Sequence, residues 1–148
     1  MFKNILFVCV GNICRSPAAE YWAKAQLKNA GLTDIQVFSA GLRAVQTAGI
    51  EQNMQVILNQ YHIDASQHSA KQIDANDVSR AEIIFTMETW QKEELSFAFP
   101  NGRGKIFTLG KWRDEEIGDP YRQEQVVFEN IFELIKENWG IWQNKLWK

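Results

Sequence analysis

The chain lacks the residues that mark several common classes of protein. Only two cysteines occur in 148 residues. They stand close together as Cys9 and Cys14, which leaves no disulfide framework of the secreted kind. The two histidines, His62 and His68, lie six residues apart without grouped carboxylates, so they make no metal site. A net charge of −2 supplies no broad basic field for nucleic acid or a membrane surface. The longest clean apolar run, Ile5 to Val10, is too short for a membrane span or a secretory leader core. No repeat, low-complexity tract or linker interrupts the chain, and its length suits one domain, 1–148, with a full core.

What is present is concentrated in Val8-Cys9-Val10-Gly11-Asn12-Ile13-Cys14-Arg15-Ser16-Pro17. The apolar run before it reads as a buried strand. The Ser-Pro at its end predicts a helix start, with Ser16 near the N-cap and Pro17 at the first helical position. Between strand and helix the chain must curl so that the N–H groups of Val10, Gly11, Asn12, Ile13 and Cys14 point inward. Such a nest, at the positive end of a helix dipole, is an anion site. Gly11 and Asn12 are expected to take the left-handed or strained backbone that the curl requires. Arg15 adds a planar fork that matches two phosphate oxygens.

A free cysteine is mostly thiol at neutral pH. Inward amides, a helix N-terminus and a guanidinium all favour the thiolate, and the Ser16 hydroxyl is placed to donate to the sulfur. Cys9 is therefore the candidate nucleophile of covalent catalysis. Removing this segment as a leader would remove that nucleophile, so cytoplasmic residence is expected. A cysteine and an arginine six apart are weak evidence alone. Glycine, asparagine, serine and proline in their places make the pattern specific.

Strand-like segments run from Phe2 to Val8, Ile35 to Ser39, Glu82 to Thr86 and Lys105 to Leu109. Helical stretches lie between them: Pro17 to Ala30, Glu51 to Tyr61, a short one around Ala70 to Val78, and Thr89 to Phe97. Alternation of this kind predicts βαβ units and a parallel sheet, with ligand at the carboxyl end of the first strand. In the last segment Phe128, Ile131, Phe132, Ile135, Trp139 and Trp142 recur at helical spacing and predict one buried face. Core packing is preferred to a binding surface for Trp139, Trp142 and Trp147.

The loop resembles that of the low-molecular-weight protein tyrosine phosphatases, and the resemblance covers essentially the whole chain. It includes Ser39-Ala40-Gly41, His68-Ser69-Ala70-Lys71-Gln72 and Asp119-Pro120-Tyr121. It implies a flavodoxin-like α/β fold, a four-stranded parallel sheet flanked by helices on both faces. It makes Cys9 the nucleophile, Arg15 the phosphate clamp and Asp119 the general acid. Asn12, Ser16, Ser39 and His68 become the polar groups that hold the loop in shape, with His68 bonded to Asn12. No cofactor and no metal are implied. Similarity to bacterial members implies a monomer acting on a phosphotyrosine protein, with a tyrosine autokinase of surface polysaccharide export as the expected partner.

Asp119 also has a case of its own. It follows the polar segment Gly110–Gly118 after the fourth strand, on the loop's edge of the sheet. Pro120 restricts its backbone and so aims the carboxyl that must protonate a leaving oxygen. Tyr121 is a candidate pocket wall with Ile13 and Leu42, selecting an aromatic substrate. Arg122 replaces a second tyrosine found in many members and would favour acidic sequence around the target. Cys14 reads equally as filler or as a redox guard that pairs with Cys9. Two departures from the family, Glu88 in place of an aspartate and no proline after Gly49, are expected to bear on the substrate rim and not on the chemistry.

Two rival readings share this loop. A thiol-dependent arsenate reductase would share the fold, but no cysteine follows Cys14 to resolve its adduct. An idle phosphotyrosine-binding module would be expected to lack the nucleophile or the acid, and both are kept.

Overall fold

The structure is a computed structural model and describes residues 2–147. Its frame is a four-stranded parallel sheet in the order β2-β1-β3-β4, built from β1 (Asn4–Cys9), β2 (Gln36–Gly41), β3 (Ile83–Thr86) and β4 (Ile106–Thr108). Helix α1 (Arg15–Asn29) leaves the tip of β1. It is followed by α2 (Gln52–Gln60), α3 (Ala75–Arg80), α4 (Thr89–Ala98) and α5 (Gln125–Leu146).

Strand β1 is central, and Ile5, Leu6, Phe7 and Val8 are fully buried. That is the apolar run of a strand covered on both faces. Its side chains alternate between two cores. Ile5, Phe7 and Cys9 pack with α1, α2 and α5, through Ala19, Ala23, Met54 and Phe132 among others. Leu6 and Val8 pack on the other face with Val78 of α3 and Leu95 of α4. The expected face of α5 is buried in full, from Phe128 to Trp142, and each such side chain contributes on the order of 2 kcal/mol. Trp139 lies edge-on to Phe7 at 5.6 Å. The Trp142 indole N–H donates to the Leu109 carbonyl at 2.9 Å, tying α5 to the end of β4. Trp147 packs half-buried against the same core.

One expected element moves. The stretch from Ala70 is extended as far as Asp74, with Gln72 bridged to Gly41, and helix begins only at Ala75. The reason is a capping box: Asp74 accepts from the Asp77 N–H at 2.9 Å, and Asp77 reaches back to the Asp74 N–H at 3.2 Å. At the fourth strand Lys105 belongs to a 3-10 turn, Pro100–Lys105, that precedes β4. At α1 the helix starts at Arg15, so Pro17 is its third residue and Ser16 is not the cap.

Among the described residues no helix is long and apolar enough to cross a membrane.

Candidate active site

The segment between β1 and α1 is held from outside by its carbonyls. The Cys9 carbonyl accepts from the Leu42 N–H at 2.9 Å, Val10 from Arg43 at 2.9 Å, and Gly11 from Val45 at 3.0 Å. The Asn12 carbonyl lies 2.7 Å from His68 Nε2, and the Ile13 carbonyl accepts from Glu51 N–H at 2.7 Å. A carbonyl has no hydrogen to give, so His68 carries its proton on Nε2. In a trans peptide the N–H points opposite to its C=O. Five consecutive carbonyls bonded outward therefore turn the amides of residues 10 to 14 inward, around Cys9.

Asn12 makes the turn. It is buried at φ 57°, in the left-handed region, and its side chain repays the conformation with three bonds. Its Nδ2 donates to Ser16 Oγ at 2.8 Å and to Ser39 Oγ at 2.9 Å, and its Oδ1 accepts from the Lys71 N–H at 2.9 Å. Gly11, expected to share the left-handed backbone, does not adopt it. Glycine is required instead at Gly41, where a Cβ would stand 2.5 Å from the Val10 carbonyl oxygen. That absence lets β2 press against the loop.

The same network sets the direction of the hydrogen bond at the sulfur. Ser39 Oγ gives its hydrogen to buried Glu20 at 2.6 Å, and so accepts from Asn12. Ser16 Oγ also accepts from Asn12, which frees its own hydrogen for Cys9 Sγ at 2.9 Å. The Ser16 N–H adds a longer contact to Sγ at 3.4 Å. Cys14 has a different environment. Burial pushes its thiol up, and the charges of Cys9, Glu51 and Asp119 push it further, so Cys14 stays protonated. Both thiols are free.

Arg15 is 2% exposed, in the first turn of α1. Its Nη1 donates to Glu88 Oε2 at 2.6 Å and to the Ile117 carbonyl at 2.9 Å, which leaves Nε and Nη2 for an anion. Asp119 Oδ2 lies 3.9 Å from Nη2. The Asp119 Oδ1 accepts from the Tyr121 N–H at 3.0 Å, so Pro120 and an Asx-type turn both orient the carboxyl.

These groups surround an open pocket of about 280 Å³ lined by Cys9, Ile13, Arg15, Asp119 and Tyr121. Val45 and Phe128 complete its apolar wall, and Arg43 and Glu51 are its added charges. Leu42, expected there, packs instead with the core on the far face of the sheet. A strand continuing past Ser39 to Gly41 sends residue 42 to that face and residues 43 and 45 to the pocket.

The two departures from the family are not confined to the rim. Glu88 holds Arg15, and the segment after Gly49 bonds Ile13 through Glu51. The roles of Glu20, Glu88, Arg43 and Glu51 are not legible from local spacing. Only Glu88 carried a signal, the Glu-x-x-Gln of a capping box with Gln91. His62 is an exposed residue just past α2 and takes no part.

A nest of inward amides at the carboxyl edge of a parallel sheet, with a cysteine beneath it and an arginine beside it, is the arrangement of a thiol-based phosphate-ester site on an α/β fold. The chain matches the family model described as low molecular weight phosphotyrosine protein phosphatase over residues 4–148, and it belongs to that family. It is 36% identical over 142 residues to a probable low molecular weight protein-tyrosine-phosphatase, EpsP, of Ralstonia nicotianae, covering 96% of this chain and 94% of the relative. The crystal structure of Erwinia amylovora tyrosine phosphatase AmsI superposes with a TM-score of 0.93 at 30% identity, over 100% of this chain and 95% of that one. Vibrio vulnificus Wzb, in complex with benzylphosphonate, gives a TM-score of 0.90 at 31% identity, over 98% and 99% of the two chains.

Proposed function

We propose that this chain dephosphorylates tyrosine in proteins through a phosphocysteine intermediate. The observation that carries the reading is the ring of outward-bonded carbonyls around Cys9, whose sulfur takes the Ser16 hydrogen. The amides of Val10, Gly11, Asn12, Ile13 and Cys14, with Nε and Nη2 of Arg15, hold the three non-bridging oxygens. Cys9 Sγ attacks phosphorus in line with the phenolic oxygen, so an S–P bond forms as the P–O bond to the aryl group breaks. Asp119 gives its proton to the departing phenolate. Its carboxylate then takes a proton from water as the water oxygen bonds phosphorus and the S–P bond breaks, which frees inorganic phosphate and the thiolate. Asn12, Ser16, Ser39 and His68 keep the loop in this shape between turnovers.

An aromatic substrate suits the walls. Ile13, Val45, Tyr121 and Phe128 offer apolar surface to a phenyl ring. The reduced nucleophile suits a cytoplasmic enzyme, acting as a single-domain monomer. The resemblance of the loop to bacterial phosphatases of this type suggests as target a tyrosine autokinase of exopolysaccharide or capsule production. An arsenate reductase would need a borrowed thiol, since the sequence has none after Cys14. A silent binding module has no use for an oriented Asp119.

The test is hydrolysis of aryl phosphates in chelator. Cys9→Ser should abolish turnover and yield no phosphocysteine on rapid denaturing quench. Asp119→Ala should lose roughly 10²–10⁴-fold, and less where the leaving group is already a stable anion. Turnover that survives Cys9→Ser would overturn the proposal.

A further inference from the structure

Arg43 is the cation of the pocket that the reaction does not use. Its backbone N–H is bonded to the Val10 carbonyl, and the next N–H, of Ala44, donates to Gln72 Oε1 at 2.9 Å. The base of this side chain is thus fixed to the residue after the nucleophile. Its tip is not: the side chain is 61% exposed, and its Nη2 meets Glu94 Oε1 of α4 at 2.9 Å. A second guanidinium, of Arg122, lies 5.2 Å from the Tyr121 ring on the segment that carries Asp119. The carboxylates lining the pocket are already engaged, Glu51 by the Asn53 N–H and Asp119 by the Tyr121 N–H. Arg43 thus lines the pocket with an exposed carboxylate as its ion-pair partner, and Arg122 offers a second guanidinium beside the pocket-lining Tyr121.

An exposed ion pair contributes little, because water competes for both partners and two long side chains must be ordered. An incoming carboxylate can replace Glu94 at almost no cost. We propose that Arg43 is a specificity determinant that selects phosphotyrosine with an acidic residue beside it, the substrate carboxylate displacing Glu94 and Arg122 giving a second contact. The inference rests on the phosphatase reading above and names the class of substrate that reading leaves open. Arg43 has no role in bond breaking. It acts on substrate capture, so its effect falls on KM.

The experiment uses two phosphotyrosine peptides that differ only in glutamate or glutamine flanking the phosphotyrosine, with phenyl phosphate as a substrate that has no flanks. The quantity read is the ratio of kcat/KM for the two peptides, from which any general loss in a variant cancels. Wild type should prefer the acidic peptide by about fivefold at low salt, with the preference fading as salt rises. Arg43→Gln should lower the ratio toward one, leaving only what Arg122 contributes. Glu94→Gln should raise it, since the competing carboxylate is gone, and a purely structural Glu94 would not do this. A wild-type ratio near one, a ratio unmoved by Arg43→Gln, or a fall in Glu94→Gln would each overturn the proposal. If phenyl phosphate is turned over while the ratio is one, this inference fails alone. If neither peptide nor phenyl phosphate is hydrolysed, the phosphatase reading fails first.

Discussion

Arg15 Nη1 and Glu88 Oε2 stand 2.6 Å apart, joining the first turn of α1 to the N-cap of α4 across 73 residues of chain. The guanidinium is almost wholly buried, with its side chain 3% exposed against 23% for Glu88. Asp119 is the other carboxylate near this cation, at 3.9 Å and half-exposed, so the buried guanidinium depends chiefly on Glu88. Gln91 in turn holds Glu88, donating to its Oε2 at 3.3 Å and accepting from its N–H at 3.0 Å. The phosphate clamp is therefore aimed from a second helix and not by the loop alone.

Removing the carboxylate should release the clamp. Glu88→Ala is expected to cost about 1.5–3 kcal/mol at this hydrogen bond, which corresponds to a roughly 10- to 100-fold fall in kcat/KM. Inorganic phosphate should become a weaker inhibitor by a similar factor. Glu88→Asp should lose less than Glu88→Ala, since a carboxylate remains within one methylene of the guanidinium. Steady-state kinetics with phosphate titration checks both. Normal phosphate affinity in Glu88→Ala would show that Arg15 is positioned without it.

Asn12 separates two effects. Alanine at φ 57° keeps the backbone strain and loses three side-chain bonds, whereas glycine loses the bonds only. The left-handed penalty is about 1–2 kcal/mol, so Asn12→Gly should melt above Asn12→Ala. Both should lose most aryl phosphatase activity, because Ser16 is then free to turn its hydrogen away from Cys9. Thermal melts with parallel assays distinguish the two. Equal melting temperatures would mean that the loop relaxes out of the left-handed region when its bonds go.

Gly41→Ala tests the close approach of β2. The added methyl would meet the Val10 carbonyl, which is backbone and cannot swing aside. The loop or the strand must shift, at a cost on the order of 2 kcal/mol. A lowered melting temperature should accompany weaker vanadate inhibition, because residue 10 lies in the nest itself. Unaltered vanadate affinity would place the shift in the strand.

Much of this was legible in the sequence, and for identifiable reasons. The buried run of β1, the face of α5 and the Ser39-Ala40-Gly41 segment at a strand end are all short-range patterns, and short-range patterns survive folding. The same holds for the loop residues, since nest, nucleophile and guanidinium lie within seven positions. What stayed hidden depends on topology. Glu88 meets Arg15 only because β3 lies beside β1, and Arg43 reaches the pocket only because β2 runs two residues past Ser39. The need for glycine at position 41, and not 11, comes from contact with another strand. The late start of α3 was readable in Asp74 and Asp77, whose capping box outweighs the helical composition before it.

Cys14 gives a pH-dependence with a definite sign. Its thiol is held up in the folded chain, chiefly by burial and then by neighbouring negative charge. In the unfolded chain it ionises near its ordinary 9.0. Above that pH the unfolded state releases a proton that the folded state keeps, so the unfolded state is favoured. Stability should fall as pH rises above about 9, by about 1.4 kcal/mol per unit from this one group. Cys14→Ala should flatten that part of the curve, although it loses some packing at every pH. Denaturant midpoints between pH 7 and 10.5, wild type against Cys14→Ala, measure the difference. The same environment makes Cys14 a poor nucleophile. Iodoacetamide at neutral pH should label Cys9 in the folded enzyme and reach Cys14 only after unfolding, with vanadate protecting the first site. Parallel slopes in the two proteins, or early labelling of Cys14, would show that this thiol is neither deeply buried nor held protonated.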